Sequence, residues 1–344
     1  MDWKKKLFWS LFSLLLAGLT IWAVFSQSEG ISIGEILENA KDGNKLWLAC
    51  AVVSVALYII LEGVALCSIL KGVGYRRGLH RGILYSTADI YFSAITPSAT
   101  GGQPASAYFM IADKIPAGVA TAVLILNLMM YTLSIVALGI IALLINYRLL
   151  FEFRIISIVI IIAGFVVLTI FSIFFLSILR RGDKVFELIR RFLRLLHRKH
   201  IIKRLDSKIE KLNKTEEEYM DCARLVSGKT STMVKAFIWN FLQRACQIAV
   251  PVFVYLMTSG TAGKAVSIFA SQCLITIGFN VIPVPGAMGI ADFLMVDGFT
   301  GIVGREEAFK MDMMSRGLSF YICVAVSGII TLFGYIMLKR RKKA

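Results

Sequence analysis

Six long apolar stretches with few charged residues determine the environment in which this chain can fold. They lie at about residues 7–25, 46–70, 117–147, 154–179, 232–257 and 311–338. Each stretch can cross a hydrocarbon core of roughly 30 Å as a helix, and 57% of the 344 residues are hydrophobic. We therefore predict an all-α polytopic membrane protein that forms a single membrane domain, residues 1–344.

Basic residues are concentrated in a few segments, and this bias predicts the orientation. Lysine and arginine outnumber aspartate and glutamate by 38 to 22, and they cluster at residues 4–6, 71–81, 180–214 and 339–343. Such clusters remain on the cytoplasmic side of membrane proteins. We therefore predict a multi-pass membrane protein with both termini in the cytoplasm, and we expect no nucleic-acid partner.

Two further apolar regions, residues 83–112 and 265–303, are interrupted near their middles by proline and glycine. The predicted orientation leaves an even number of crossings for each region, because the neighbouring helices already account for every change of side. Each region must enter and return on one side, the first from the cytoplasm and the second from outside. The sequence thus predicts six full transmembrane helices and two re-entrant helical hairpins.

The same count divides the chain into two units of opposite orientation. Residues 46–147 form the first repeat with hairpin 83–112, and residues 232–338 form the second with hairpin 265–303. Inverted repeats with interrupted helices at corresponding places are typical of transporters that bind substrate near the midplane. The alternative is two pairs of short, tilted helices within a structural bundle.

The segment between the repeats, residues 180–230, combines dense positive charge with regularly spaced apolar residues. We predict a basic amphipathic helix or helix pair on the cytoplasmic side. It lies on the anionic inner leaflet or folds under the bundle. A solvated linker that joins the repeats is compatible with either placement.

The first interruption has the sequence Thr96-Pro97-Ser98-Ala99-Thr100-Gly101-Gly102-Gln103-Pro104. Because proline cannot donate a helical hydrogen bond and glycine tolerates positive φ, we predict a sharp turn at Gly101-Gly102. A new helix should begin near Pro104 and run toward Ala112, with Thr100 or a glycine as its cap. Helix N-termini attract phosphate. The candidate residues for binding a phosphate group are therefore Ser98, Thr100, Gly101, Gly102 and Gln103.

The second interruption, Ile282-Pro283-Val284-Pro285-Gly286-Ala287-Met288-Gly289, follows the same logic. Its candidate phosphate-binding residues are Pro285, Gly286, Gly289 and Asp292, the last on the helical arm that Pro285 opens. If both hairpins reach the midplane, two helix starts face one cavity. The alternative for each interruption is a turn that only packs against neighbouring helices.

Ionisable residues inside the apolar stretches are costly and are therefore candidates for function. Arg244 lies near the middle of the predicted helix 232–257. Its polar neighbours at helical spacing are Asn240, Gln243 and Gln247. An inward-facing arginine can hold a lipid phosphate through forked hydrogen bonds. The structural alternative is an ion pair with Glu62.

Asp89 and Asp292 lie on the arms of the two hairpins. Each can receive a cationic head group, carry protons, cap a helix or pair with Arg316. The candidates for coupling or cation binding are therefore Glu62, Asp89, Gln247 and Arg316. The six cysteines have no metal-ligand spacing and are expected to be free thiols. Without a nucleotide, zinc-protease or serine-hydrolase motif, we expect no metal and no cofactor.

The two interruptions resemble a known family. TPSATGGQP at residues 96–104, followed by Ala107-Tyr108, together with PVPGAMGIAD at residues 283–292, is similar to the transmembrane region of lysylphosphatidylglycerol synthases. The resemblance covers nearly the whole chain. In that family the transmembrane region is described as flippase-like, and it forms the membrane half of the multiple peptide resistance factor. The resemblance implies a phospholipid translocase that moves an anionic or aminoacylated lipid between leaflets and serves resistance to antimicrobial peptides.

Two departures limit what the resemblance implies. Many family members have glycine, an acid and then arginine after the first interruption, whereas Gln103 follows Gly102 here and Ser106 occupies the arginine place. Asp292 does occupy the acidic place after the second interruption. The polar insert at residues 180–230 is too small for the family's aminoacyltransferase domain, so we expect no enzyme activity.

Two other functions stay open from the sequence. A transporter of a polyprenyl-phosphate lipid carrier is one, since a phosphate site suits both substrates. A non-transporting membrane scaffold for a separate lipid-modifying enzyme is the other. The expected partners are membrane lipids, such an enzyme, and further copies of this chain in a homo-oligomer.

Overall fold

Helices account for nearly all of the described chain, and no strand occurs in it. The computed structural model describes residues 43–96, 99–180, 182–198, 205–258, 260–282, 287 and 289–341. The α-helices are α1 (Lys45–Gly72), α2 (Leu79–Ile95), α3 (Gly102–Ala112), α4 (Ala117–Asn146), α5 (Ile155–Arg180), α6 (Gly182–Arg198), α7 (Leu205–Ser227), α8 (Thr230–Met257), α9 (Ala262–Phe279), α10 (Ile290–Val303), α11 (Arg305–Arg316) and α12 (Cys323–Arg341). A 3-10 segment, Tyr147–Glu152, extends α4, and a π-helical segment, Gly317–Ile322, joins α11 to α12.

Six helical stretches of the described chain are long and apolar enough to cross a membrane. They are Lys45–Gly72, Ala117–Glu152, Ile155–Ile178, Thr230–Met257, Ala262–Phe279 and Arg305–Arg340. All except Ala262–Phe279 coincide with predicted transmembrane helices, so the prediction of an all-α, multi-pass membrane protein is confirmed. The exception is α9, the first arm of the second interrupted region. The predicted helix at residues 7–25 lies outside the described residues.

Helices α1 and α8 lie side by side along most of their length and form the centre of the bundle. The Asn44 amide, before α1, donates to the Met257 carbonyl at the end of α8 over 3.1 Å. Lys229 Nζ, before α8, donates to the Gly72 carbonyl at the end of α1 over 2.9 Å. The two helices are therefore antiparallel. We call the end with Gly72 and Lys229 the basic end, and the end with Met257 the opposite end.

The first interrupted region folds back on itself, with α2 packed against α3. Asp113, just after α3, pairs with Arg81 near the start of α2 over 2.9 Å. The Tyr85 hydroxyl donates to the other Asp113 carboxylate oxygen over 2.6 Å, and Arg77 Nη2 donates to the Asp113 carbonyl over 2.9 Å. Both ends of this hairpin therefore lie together at the basic end of the bundle.

The second interrupted region has the same shape, with α9 packed against α10. The Thr258 hydroxyl, just before α9, donates to Glu307 Oε1, just after α10, over 3.0 Å. Since Thr258 directly follows Met257, this hairpin opens at the opposite end of the bundle. Near that end Arg154 also pairs with Asp297 on α10, with 3.4 Å between nitrogen and oxygen.

Each hairpin packs against a helix from the other half of the chain. The first arm of the first hairpin, α2, lies against α12, and the first arm of the second hairpin, α9, lies against α4. The two contacts are equivalent in the two halves: each hairpin packs against the helix that follows the other hairpin, since α4 follows the first hairpin and α12 follows the second. The two halves interlock, which holds both hairpins against the pair formed by α1 and α8.

The predicted linker forms a helix pair, α6 and α7. Arg190 on α6 pairs with Glu216 on α7 over 2.8 Å, and the Gly118 amide at the start of α4 donates to Glu218 on α7 over 3.1 Å. The linker therefore folds under the basic end of the bundle, which is one of the two predicted placements. The larger apolar residues of the described part of α6 that remain exposed are Leu188, Ile189, Phe192 and Leu195.

Single-cysteine variants test the sidedness of the two ends. The six native cysteines are free, as predicted, and are first replaced. Arg76→Cys and Lys211→Cys, exposed at the basic end, should react with a membrane-impermeant maleimide from one side of the membrane only. Lys264→Cys and Glu306→Cys, exposed at the opposite end, should react from the other side only.

The measurement compares labelling of intact spheroplasts with labelling of inside-out vesicles. Positive charge predicts that the basic end reacts in inside-out vesicles. Reaction of Arg76→Cys and Lys211→Cys from different sides would contradict the placement of the linker beside the first hairpin.

Candidate functional site

Polar side chains collect inside the bundle where the middle of the α1 and α8 pair meets both hairpins. We call this group the central polar cluster, and it consists of Tyr58, Glu62, Asp89, Gln103, Tyr131, Gln243, Arg244, Gln247 and Asn280. Of its charged members, Glu62 is 7% exposed, Asp89 6% and Arg244 6%. Charge buried inside membrane-spanning helices is costly and in most cases serves a function. The cluster is therefore the candidate functional site.

Arg244 is held between two aromatic rings. Its guanidinium carbon lies 3.9 Å from the centre of the Tyr131 ring and 5.2 Å from that of the Tyr58 ring. Nη1 donates to the Gln247 side chain. The buried Nε has no hydrogen-bond partner. Desolvated cation–π contacts contribute on the order of 2 kcal/mol, but they leave N–H groups available to an anion.

Glu62 does not form the ion pair with Arg244 that was the structural alternative. Within the described ranges no salt bridge joins the two side chains. Glu62 Oε2 instead accepts hydrogen bonds from the Ser86 hydroxyl over 3.3 Å and from Gln243 Nε2 over 3.1 Å. Neutral donors therefore satisfy Glu62, and the Arg244 guanidinium has no carboxylate at salt-bridge distance.

Asp89 joins the two arms of the first hairpin. Gln103 Nε2 on α3 donates to Asp89 Oδ2 over 2.7 Å, and Ser93 Oγ on α2 donates to Oδ1 over 3.1 Å. The arms approach closely here because Gly102 has no side chain. A Cβ at that position would lie 2.0 Å from both Asp89 Oδ1 and Ser93 Oγ.

The prediction of positive φ at Gly101-Gly102 is wrong. Gly101 has a helical φ of −82° and caps α3, which begins at Gly102. The left-handed residue of this turn is Ala99, with φ 53°. The Gly101 amide donates to Thr96 Oγ1 over 2.8 Å, so the chain is already bending into α3 at that residue. Thr100, between the bend and the cap, is exposed.

Helix α3 agrees with the prediction for the returning arm. Pro104 lies in its first turn, a glycine caps it and it ends at Ala112. Ser106, in the place of the family's arginine, is fully buried, and its hydroxyl has no hydrogen-bond partner. This arm therefore contributes an amide, from Gln103, but no cation to the central polar cluster.

The second interruption repeats the left-handed backbone, with Ala287 at φ 50° and Gly289 at φ 78°. Asp292 is occupied by structural contacts. Its Oδ2 accepts from the Gly289 amide over 2.7 Å, and its Oδ1 pairs with Arg316 Nε over 2.8 Å. It caps α10 and ties it to α11, as two of the alternatives for this residue proposed. The predicted phosphate-binding residues outside the described ranges are Ser98, Pro285 and Gly286.

Three members of the cluster were not sequence candidates: Tyr58, Tyr131 and Asn280. The Tyr131 hydroxyl donates to Asn280 Oδ1 over 2.5 Å, and Asn280 Nδ2 donates to the Thr276 carbonyl over 2.7 Å. These bonds connect the aromatic clamp on Arg244 to the end of α9, just before the second interruption. Tyrosines are ordinary in apolar helices, so no spacing in the sequence links them to Arg244.

Arg316 belongs to a second buried group rather than to the central polar cluster. Besides its pair with Asp292, its guanidinium carbon lies 4.9 Å from the centre of the Phe320 ring in the π-helical segment. Asp312, one turn earlier on α11, is buried and its Oδ1 has no hydrogen-bond partner. The i, i+4 spacing of Asp312 and Arg316 was a signal for this group that the sequence analysis did not use. In the part of the chain that is described, no three potential metal ligands come together.

Comparison with known proteins agrees with the resemblance seen in the two interruptions. The family model described as Lysylphosphatidylglycerol synthase TM region matches residues 10–327. None of the curated proteins and none of the solved structures matches the chain. The matched residues include both hairpins and every member of the central polar cluster. This protein therefore belongs to the family of lysylphosphatidylglycerol synthase transmembrane regions.

Proposed function

We propose that this protein is a lipid translocase that moves an anionic or aminoacylated phospholipid across the cytoplasmic membrane of a prokaryote. The phosphate of the head group binds at Arg244 within the central polar cluster, and the chain carries out no chemical step. The observation that carries the proposal is a buried guanidinium that is clamped by two tyrosines and has no carboxylate at salt-bridge distance among the described residues. Family membership supports a role with membrane lipids.

Arg244 has the properties of a phosphate ligand. A guanidinium is always charged, and its N–H groups form a planar fork that fits phosphate oxygens. Gln247 holds one nitrogen, the two tyrosine rings cover the guanidinium, and the buried Nε points to no protein acceptor. A lipid phosphate supplies an anion in direct contact with the guanidinium, which the described carboxylates do not provide.

The paired hairpins support access to this site from both leaflets. Asp113 closes the first hairpin at the basic end, and Glu307 closes the second at the opposite end. With the basic end in the cytoplasm, each hairpin is re-entrant from its own side and the two halves form an inverted repeat, with both termini cytoplasmic. The left-handed Ala99 and Ala287, each two residues after a proline, support the same relation.

A polyprenyl phosphate is the second candidate substrate, because Arg244 recognises phosphate rather than glycerol. A non-transporting scaffold for a separate lipid-modifying enzyme is the candidate from another class. Purified protein in liposomes separates these functions. A scaffold leaves the exchange of fluorescent phosphatidylglycerol between leaflets at the rate of empty liposomes, whereas a translocase accelerates it.

Substitution of Arg244 tests the phosphate site. Arg244→Ala should slow phosphatidylglycerol exchange by about tenfold or more, since hydrogen bonds to charged groups contribute roughly 1.5–3 kcal/mol. Arg244→Lys should recover part of the rate, because an ammonium keeps the charge and lacks the fork. The matched control is Arg305→Ala, at an exposed position outside the cluster, which should exchange lipid at the rate of the unmodified protein.

The melting temperature of each variant is measured alongside the rate. If Arg244→Ala stays folded and exchanges lipid at the full rate, the phosphate site is not at Arg244. If it unfolds and additional replacement of Glu62 restores folding, Arg244 is structural.

Tyr131 provides a separate test of the aromatic clamp. Tyr131→Phe keeps the ring over Arg244 but loses the hydrogen bond to Asn280, whereas Tyr131→Leu loses both. We expect phosphatidylglycerol exchange to fall several-fold more in Tyr131→Leu than in Tyr131→Phe, because a buried cation–π contact contributes about 2 kcal/mol. Equal rates in the two folded variants would show that the ring does not act on Arg244 during transport.

Gly102 tests the packing of the first hairpin. In Gly102→Ala the new methyl group collides with Asp89 and Ser93, and overpacking of this kind costs about 1–3 kcal/mol. Both the melting temperature and the exchange rate should fall. In the control Gly263→Ala the methyl group meets open space, so stability should be unchanged or slightly higher. Full stability and exchange in Gly102→Ala would mean that the close approach of the arms is unnecessary.

A further inference from the structure

The carboxyl groups of Glu62 and Asp89 form a buried pair that the phosphate site alone does not explain. We propose that this pair takes up one proton when a lipid phosphate binds and releases it when the lipid leaves, so that lipid and proton cross together. This inference rests on the proposed translocase function. It identifies the proton as the ion that drives transport, because a proton gradient would then set the direction of lipid movement.

The pair lies where α1 meets the first arm of the first hairpin. Glu62 is on α1 and Asp89 on α2, both are buried, and their carboxyl groups lie close enough to interact electrostatically. Ser86, one helical turn before Asp89, also donates to Glu62 over 3.3 Å. Two neighbouring carboxylates repel each other strongly in a buried site, so such a pair is most stable when one of the two groups carries a proton.

The other contacts of the pair are neutral. Ser86 and Gln243 donate to Glu62, and Ser93 and Gln103 donate to Asp89. None of these donors neutralises a second negative charge. The titratable side chains that face the pair from the packed elements are Tyr58 on α1, Tyr131 on α4, Arg244 on α8 and Cys323 on α12. Arg244 is the only cation among them.

The balance of charges in the site explains why a proton is taken up. With one proton on the pair, its single negative charge balances the positive charge of Arg244, and the empty site is neutral. A phosphodiester brings one further negative charge into a region where uncompensated charge is costly. A second proton, forming an O–H bond on the remaining carboxylate oxygen, restores neutrality. When the lipid leaves, the site loses that charge and the proton returns to water on the exit side.

The position of Asp89 also connects the proton to the hairpin. Its two oxygens hold Gln103 on α3 and Ser93 on α2. A protonated carboxyl group has one oxygen that donates instead of only accepting. Protonation of Asp89 therefore weakens one of the bonds that keep the arms together. The same protonation therefore changes both the contact between the hairpin arms and the net charge of the central polar cluster.

Proteoliposomes that contain a trapped pH dye measure the coupling. Phosphatidylglycerol is added to the outer leaflet, and inward lipid movement and internal acidification are recorded together. We expect about one proton per lipid for the unmodified protein, as linkage requires when binding takes up one proton. Asp89→Asn and Glu62→Gln should lower this ratio toward zero. Asp297→Asn, which removes a carboxyl group at the opposite end, should keep it.

A second measurement needs no variant. In the unmodified protein an imposed difference of one pH unit should drive phosphatidylglycerol toward the alkaline leaflet with an about tenfold ratio at steady state, because one unit of pH corresponds to a tenfold change in proton activity. The movement of lipid with a proton is electroneutral, so a membrane potential without a pH difference should not shift this ratio.

The outcomes separate the two proposals. Lipid exchange that is faster than in empty liposomes, without acidification and without a response to the pH gradient, overturns proton coupling and leaves the translocase function intact. A ratio near one that persists in both folded variants assigns the proton to another group and also overturns the inference. Absence of lipid exchange in the unmodified protein overturns the translocase function and the coupling with it.

Discussion

The guanidinium of Arg244 is the constraint around which this bundle is arranged. A charge at the middle of a membrane helix has no bulk water to stabilise it, so its surroundings must do so. Here Tyr58 and Tyr131 supply ring faces, and Gln247 supplies a carbonyl oxygen. These groups come from three different helices, α1, α4 and α8. The site therefore exists only when the two halves of the chain are packed together.

The ion pairs at the two hairpins have a different character, because each joins two oppositely charged side chains directly. Asp113 and Arg81 close the first hairpin, and Asp292 and Arg316 tie the second hairpin to α11. Breaking such a pair leaves a buried charge without its partner, which is strongly destabilising. These pairs fix the ends of the hairpins. Arg244 lies between them and makes no direct salt bridge within the described residues, and this difference in pairing separates the functional centre from its structural supports.

The hairpin tips satisfy the rule that interrupted backbone inside a membrane protein needs partners within the protein. In the first hairpin the Thr96 hydroxyl accepts from the Gly101 amide and donates to the Phe92 carbonyl. Asp89 then joins the arms through Gln103. Ala99 and Ala287 hold left-handed conformations that an L-residue adopts at a cost, and such strain persists only where surrounding structure fixes it. The described part of the first tip therefore has partners within the protein, and Asn280, just before the second interruption, connects to the aromatic clamp on Arg244 through Tyr131.

The sequence alone determined the class of fold, most of the membrane helices and the two interruptions, because hydrophobic length and the chemistry of proline and glycine are local properties. It also marked Arg244, Glu62 and Asp89, since an ionisable residue in an apolar stretch is conspicuous without any structure. Only the tertiary structure decided which of these charges are paired. Partners such as Tyr131 come from distant helices and have no local signature, and the role of Gly102 depends on a neighbouring arm rather than on its own φ. Pairing is a property of distance between helices, which the linear order of residues does not contain.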